Sequence, residues 1–235
     1  MSRVVKDYAV RRNEILDVAQ RLMTTRGYEQ MTVQNILDEL GISKGAFYHY
    51  FSSKQELLEA IIARMLDMSE QMLAPIVSDP DSSALQKFER FFGSISDWKT
   101  ARKDFVLALL KVWYQDDNAI VRLKLRLTMI QRITPLLAAI IHQGIREGAM
   151  TCSQPDQAGD VALQLIYDLS ETIGLLMLAY QPGIDDLERF AGPIAAYTEA
   201  LERVLGAPSG SLSLFNMDLM REWIVTLEEY SKVAS

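Results

Sequence analysis

A chain of 235 residues with 49% hydrophobic content is long enough to bury one large core or two smaller ones. Its net charge of −7 argues against a protein that wraps nucleic acid over its whole surface. One cysteine, Cys152, excludes an intramolecular disulfide framework, and no apolar run approaches the roughly 20 residues of a membrane span.

Strand periodicity is almost absent, so an all-α fold of about ten helices is expected. Ile15, Val18, Ala19, Leu22 and Met23 follow helical spacing and are closed by Gly27. Thr32 opens a second helix as its N-cap, with Ile36, Leu37 and Leu40 on one face. Gly41 then turns the chain, Ile42 plugs the corner and Ser43 caps a third helix. A capping box of Ser53 and Glu56 starts a long helix running to about Ile76.

Further helices are expected around Leu85–Ile95 and Phe105–Trp113. Asp116-Asp117-Asn118 offers caps for a long helix over 119–147, in which Pro135 predicts a kink near Ile130-Gln131. Two more follow over 156–180 and 186–205. Gly206-Ala207-Pro208-Ser209-Gly210 reads as a linker before a last helix from Leu212 to Val233.

The segment 32–51 carries the chemistry. A short helix, a glycine turn and a second helix form a helix-turn-helix, whose second helix enters a DNA groove. Phe47 and Phe51, four residues apart, hold that helix to its scaffold. Its other face presents Lys44, Gly45, Tyr48 and His49, with Tyr50 at the edge. A helical glycine costs roughly 1 kcal/mol relative to alanine, and close approach of the backbone to DNA accounts for it. The tyrosine hydroxyls suit phosphate oxygens, while Lys44 and His49 reach bases or phosphates. Lys54 is a cation at a helix start, where it opposes the helix dipole, and a phosphate would explain it.

Charge is divided along the chain. Residues 1–54 hold 8 Lys/Arg against 6 Asp/Glu, while the remainder holds 16 against 25. Arg3, Lys6, Arg11 and Arg12 cluster ahead of the first helix, where a flexible arm could add sequence-independent phosphate contacts, and a tail that is basic by chance accounts for them equally. The N-terminus has no apolar core of the signal-peptide kind, so a soluble, cytoplasmic protein without a membrane partner is expected.

Residues 11–57 resemble the N-terminal domain of the TetR family of bacterial transcriptional regulators. The resemblance rests on Ile15-Leu16-Asp17-Val18-Ala19, Leu22, Gly27-Tyr28, Met31-Thr32-Val33, Ile36, Gly41-Ile42-Ser43, Gly45, Phe47-Tyr48, Tyr50-Phe51, Lys54 and Leu57. Leu37 and Leu40 stand where the family more often has alanine. The resemblance implies a DNA-binding domain over 1–54 and an effector-binding and dimerisation domain over 55–235. It further implies a homodimeric repressor released from an inverted-repeat operator by a small molecule. Carried over by position, Thr32, Ser43, Lys44, Gly45, Tyr48, His49, Tyr50 and Lys54 are the DNA contacts.

In the helix over 156–180, Ala162, Ser170 and Gly174 are small residues set among Ile166, Ile173 and Met177. Small residues permit close helix approach, and this helix pairs with 186–205 as the expected dimer interface. Two recognition helices would then sit ~34–36 Å apart, or a multiple of it. Phe88, Phe92, Trp98, Phe105, Trp113, Met129 and His142 are candidates for a pocket suited to a bulky apolar or aromatic ligand, with Asp168 and Glu171 as polar partners. Aromatics at helical spacing are more often plain core, and exposure at the helix edge explains Asp168 and Glu171 equally well.

Two histidines, one cysteine and no metal-ligand spacing or phosphate loop argue against an enzyme and against any cofactor. An alternative in the same N-terminal residues is an architectural DNA binder or activator that needs no ligand.

Overall fold

The computed structural model describes residues 8–233. Among these, ten α-helices and one 3-10 turn follow one another, with no strand. They are α1 (Tyr8–Arg26), α2 (Val33–Leu40), α3 (Lys44–Tyr48), α4 (Lys54–Ser78) and α5 (Ala84–Thr100). After α6 (Lys103–Trp113) and the 3-10 turn Asp116–Asn118 come α7 (Ala119–Arg146), α8 (Pro155–Leu178), α9 (Glu188–Leu205) and α10 (Met217–Val233).

The chain divides into two compact units. Within the described residues the first holds 8–67 and 104–125, the second 68–103 and 126–233. Helices α4 and α7 thus supply residues to both. The expected domain boundary at 54/55 makes no allowance for α6, which belongs with the first unit.

In the first unit the apolar stripe of α1 buries Ile15, Leu16, Ala19, Leu22 and Met23. These meet a core to which α2 adds Ile36 and Leu37, and α4 adds Leu57, Leu58 and Ile61. Leu40 is only half-buried. Ion pairs brace the outside. Arg64 on α4 bridges Asp17 at 2.7 Å and Gln20 at 2.5 Å on α1, and Arg21 pairs with Glu39 on α2.

In the second unit α5 turns Phe88 and Phe91 inward, fully buried, beside Phe92. Lys87 lies in the same stripe and is buried too. It is tolerated there because its ammonium donates to the Val77 carbonyl at 2.8 Å and to Gln143 Oε1 at 2.7 Å. Helix α8 packs along α9.

Several expectations change in the folded chain. Asp116-Asp117-Asn118 forms a 3-10 turn rather than side-chain caps, because the Asn118 amide donates back to the Val112 carbonyl at 2.9 Å. The last helix begins at Met217, not Leu212. Leu212 and Leu214 are buried without helix, the former's N–H held by the buried Glu202 carboxylate at 3.1 Å. The supposed linker is fastened at its start: Gly206 caps α9 at φ 60°, and its missing Cβ leaves room for the Thr151 carbonyl. By length and composition α8 can span a membrane, contrary to the expectation from the sequence. Its apolar character is explained by packing on α9 and by a core that buries Leu163, Leu169 and Ile173.

Candidate nucleic-acid interface

The helix-turn-helix is built by three local caps. Thr32 Oγ1 accepts the Asn35 N–H at 3.1 Å, and Asn35 Oδ1 accepts the Thr32 N–H at 3.0 Å, a reciprocal capping box. Gly41 ends α2 in the left-handed region at φ 60°, a conformation that penalises any side chain. Ser43 then turns extended, and its hydroxyl accepts the Ala46 N–H at 3.2 Å to start α3.

Recognition helix α3 is short. It stops at Tyr48, and the chain continues as a tight turn in which the Tyr50 and Phe51 N–H groups both return to the Phe47 carbonyl, at 2.9 and 3.1 Å. Phe47 and Phe51 are fully buried, their rings 6.0 Å apart, so one face of this element is fixed to the core. Ser43, Lys44, Gly45, Tyr48 and His49 face solvent together. Tyr48 keeps 46% of its surface exposed while its ring edge rests on Phe47, and the Lys44 ammonium lies 6.0 Å from its centroid. An added Cβ at Gly45 meets no atom within 4 Å. Nothing inside the chain therefore requires glycine at this position.

The remaining candidates have partners of their own. Tyr50 is half-buried and stacks on Tyr8 at 4.7 Å, and His49 sets its edge against Tyr8 at 5.7 Å. Tyr8 has no periodic neighbour in the sequence to announce this role. Lys54 hangs over the Tyr28 ring at 4.0 Å and donates to the Glu29 carbonyl at 3.4 Å. Burial, partly opposed by the Glu29 charge, holds its pKa below the ordinary lysine value.

The expected Ser53–Glu56 box is half made. Ser53 Oγ accepts the Glu56 N–H at 3.0 Å, but the Glu56 carboxylate reaches Ser52, taking both its N–H and its hydroxyl at 2.6 Å. Those bonds hold the Glu56 pKa below the usual carboxylate value.

Of the basic arm, Arg3 and Lys6 lie outside the described residues. Arg11 and Arg12 belong to α1 and are engaged there, Arg11 with Glu14 at 2.9 Å and Arg12 over the Phe51 ring at 5.1 Å.

The effector candidates are divided between the two units. Phe105 and Trp113 belong to the first unit, the others to the second. Phe88 and Phe92 are core, their rings 4.8 Å apart. His142 sits at the surface, its Nε2 2.7 Å from Asp156. Asp168 pairs with Arg126 at 3.6 Å. Met129 and Glu171 are half-buried, as is Trp98.

The small-residue face of α8 needs a similar correction. Ala162, Ile173, Gly174 and Met177 are buried within the chain itself, and Ile166 and Ser170 are half-buried. The large apolar residues that α8 leaves exposed are Val161, Leu175 and Leu178.

Residues 15–61 match the family described as bacterial regulatory proteins, tetR family. The chain is similar to the HTH-type transcriptional repressor KstR2 of Mycobacterium tuberculosis (strain H37Rv), 26% identical over 187 residues, covering 78% of this chain and 88% of that protein. The fold is similar to a TetR transcription regulator from Haloarcula marismortui (TM-score 0.62, 20% identity, 85% of this chain and 98% of that one). It is also similar to Thermus thermophilus FadR, a transcriptional repressor solved in complex with lauroyl-CoA (TM-score 0.57, 18% identity, 81% and 94%). With its capped helix-turn-helix and this match over the same residues, residues 15–61 form a DNA-binding domain of the tetR family of bacterial regulatory proteins, and the chain is a DNA-binding transcriptional regulator.

Proposed function

We propose that this regulator is a cytoplasmic repressor that binds an inverted-repeat operator as a homodimer and leaves it when a small molecule occupies the second unit. The observation that carries the DNA reading is Gly45. It costs helix stability, has open space where a Cβ would stand, and lies between the exposed Lys44 and Tyr48. A phosphate backbone or base edge approaching α3 supplies the missing neighbour.

In this reading Lys44, Tyr48 and His49 contact DNA directly, with Thr32, Ser43, Tyr50 and Lys54 at the margins. Thr32 and Ser43 already spend their hydroxyls as caps. Each retains an exposed position from which an oxygen can also meet a phosphate. Dimerisation is assigned to α8 and α9, with Val161, Leu175 and Leu178 as the apolar surface offered to a second copy. The similarity to proteins named repressors, one of them solved with an acyl-CoA, supports ligand control. Such control requires the ligand to bind one conformation better than the other. A bulky apolar or aromatic effector fits the many aromatic and aliphatic side chains of the second unit.

The test is selection of bound genomic fragments with the purified protein, followed by affinity measurements on the recovered site at several salt concentrations. Tyr48→Ala and Lys44→Ala are expected to weaken binding, and Lys44→Ala to lower the salt slope by about 1. Unchanged affinity in both variants overturns the contact assignment. Leu175→Glu is expected to shift the sedimentation mass from dimer to monomer.

A further inference from the structure

The exposed end of α3 is held from outside the helix-turn-helix. Helix α3 has only five residues, less than two turns, and His49 is its C-cap with dihedrals that are still helical (φ −70°, ψ −24°). A side chain in that conformation leans back over the turn before it, toward the positions three and four residues earlier. Here those positions are Ala46 and Gly45. The helix itself therefore offers no side chain large enough to fix the imidazole.

Two tyrosine rings do so instead. The His49 ring stands at 83° to the ring of Tyr8, 5.7 Å away, and at 80° to the ring of Tyr50, 5.1 Å away. The two tyrosines meet each other at 4.7 Å and 37°. Tyr50 is the next residue in the chain, but Tyr8 comes from the first turn of α1. Four residues further along α1, the Arg12 guanidinium lies 5.1 Å over the Phe51 ring. One face of α1 thus covers the turn 49–51 that follows α3.

Ring packing constrains these groups while their polar atoms stay uncommitted. Among the described residues, no hydrogen bond or ion pair engages the Tyr8 hydroxyl, the Tyr50 hydroxyl or either His49 nitrogen. Tyr8 keeps 51% of its surface exposed, and His49 is exposed beside it. A directional hydrogen bond discriminates between base edges only when the side chain that makes it is held in one geometry. His49 meets both conditions, and α1 supplies part of the restraint.

We propose that Tyr8 is a positioning residue for sequence recognition, holding the His49 imidazole in one orientation so that it reads a base edge of duplex DNA. This rests on reading α3 as the DNA-contacting element, and it extends the recognition apparatus to α1. Tyr8 acts through its ring rather than its hydroxyl. Removing the ring releases His49 into several rotamers, which lowers affinity for the preferred sequence and leaves affinity for unrelated duplex in place.

The experiment uses the full chain and a pool of DNA duplexes with a randomised centre. Wild type, Tyr8→Phe, Tyr8→Leu, His49→Ala and the double variant Tyr8→Leu/His49→Ala each select bound sequences. Affinities for the wild-type consensus and for a scrambled duplex are then read by fluorescence anisotropy. Tyr8→Leu is expected to weaken consensus binding roughly threefold to tenfold, the worth of one aromatic pair, with scrambled-duplex affinity unchanged. It should also relax the consensus at the same base pair that His49→Ala relaxes. Tyr8→Phe keeps the ring and is expected to restore both affinity and consensus. In the His49→Ala background, Tyr8→Leu is expected to add no further loss.

A loss in Tyr8→Phe overturns the proposal, because it assigns the effect to the hydroxyl. Additive losses in the double variant, or an unrelaxed consensus in Tyr8→Leu, overturn it as well. So does an equal loss on consensus and scrambled duplex, which a generally disturbed domain would give. In each of these cases the wild-type consensus survives, and with it the repressor reading. A wild type that selects no consensus overturns both.

Discussion

The ammonium of Lys54 sits 4.0 Å from the ring centroid of Tyr28, tying the start of α4 to the segment between α1 and α2. The chain therefore supplies Lys54 with an internal partner, although its position at a helix start suggested only a phosphate. Gln115 adds a second tie to the same place by donating to Glu29 Oε1 at 2.9 Å. A double-mutant cycle of Lys54→Gln and Tyr28→Leu, followed by urea unfolding, is expected to give a coupling of roughly 0.5–1 kcal/mol. A coupling near zero means that the ring and the cation are neighbours without interacting.

Gly45 separates folding from recognition. Gly45→Ala is expected to stabilise the protein by roughly 0.5–1 kcal/mol, since helix propensity rises and the new methyl meets nothing inside the chain. Operator affinity is expected to fall by about tenfold, or ~1.4 kcal/mol. Chemical denaturation and a fluorescence-anisotropy titration read the two effects independently. A variant that is both more stable and equally tight on DNA removes Gly45 from the interface.

Gly206 gives the opposite kind of glycine. Its φ is 60°, and an added Cβ would collide with the Thr151 carbonyl oxygen. Thr151 itself donates to the Leu205 carbonyl at 3.0 Å, so neither backbone can easily yield. Gly206→Ala is expected to cost roughly 2–4 kcal/mol in urea unfolding, combining left-handed strain with a backbone clash. A cost below about 1 kcal/mol would mean that the α9 cap relaxes freely.

Asp79 predicts a limb of acid sensitivity. Hydrogen bonds from Arg90, Ser82 and the Asp81 N–H lower its carboxyl from 3.8 to about 2. A carboxylate with a depressed folded pKa contributes stability that is fully present above the unfolded value and is lost as pH falls through the folded one. The contribution of Asp79 is thus expected to disappear between about pH 4 and about pH 2. Acid titrations of stability for wild type and Asp79→Asn should converge across that window, and parallel curves would exclude it.

The DNA-reading element was legible because its determinants are local. Thr32, Gly41 and Ser43 act on backbone groups within four residues, and Phe47 and Phe51 meet the core on one helical face. Capping and periodicity follow from the nearest few positions, so a short stretch of residues suffices to specify them.

What covers an inward face depends on residues far along the chain, and no period reports it. Only the tertiary structure decided that the small-residue stripe of α8 is buried within the chain, that Lys87 meets Gln143, and that His142 faces Asp156 at the surface. A buried charge is stable only beside a partner brought there by the fold, and that pairing is a property of packing rather than of spacing. The sequence by itself determined that this chain reads DNA. The packed second unit decided which of its polar groups find partners inside the chain.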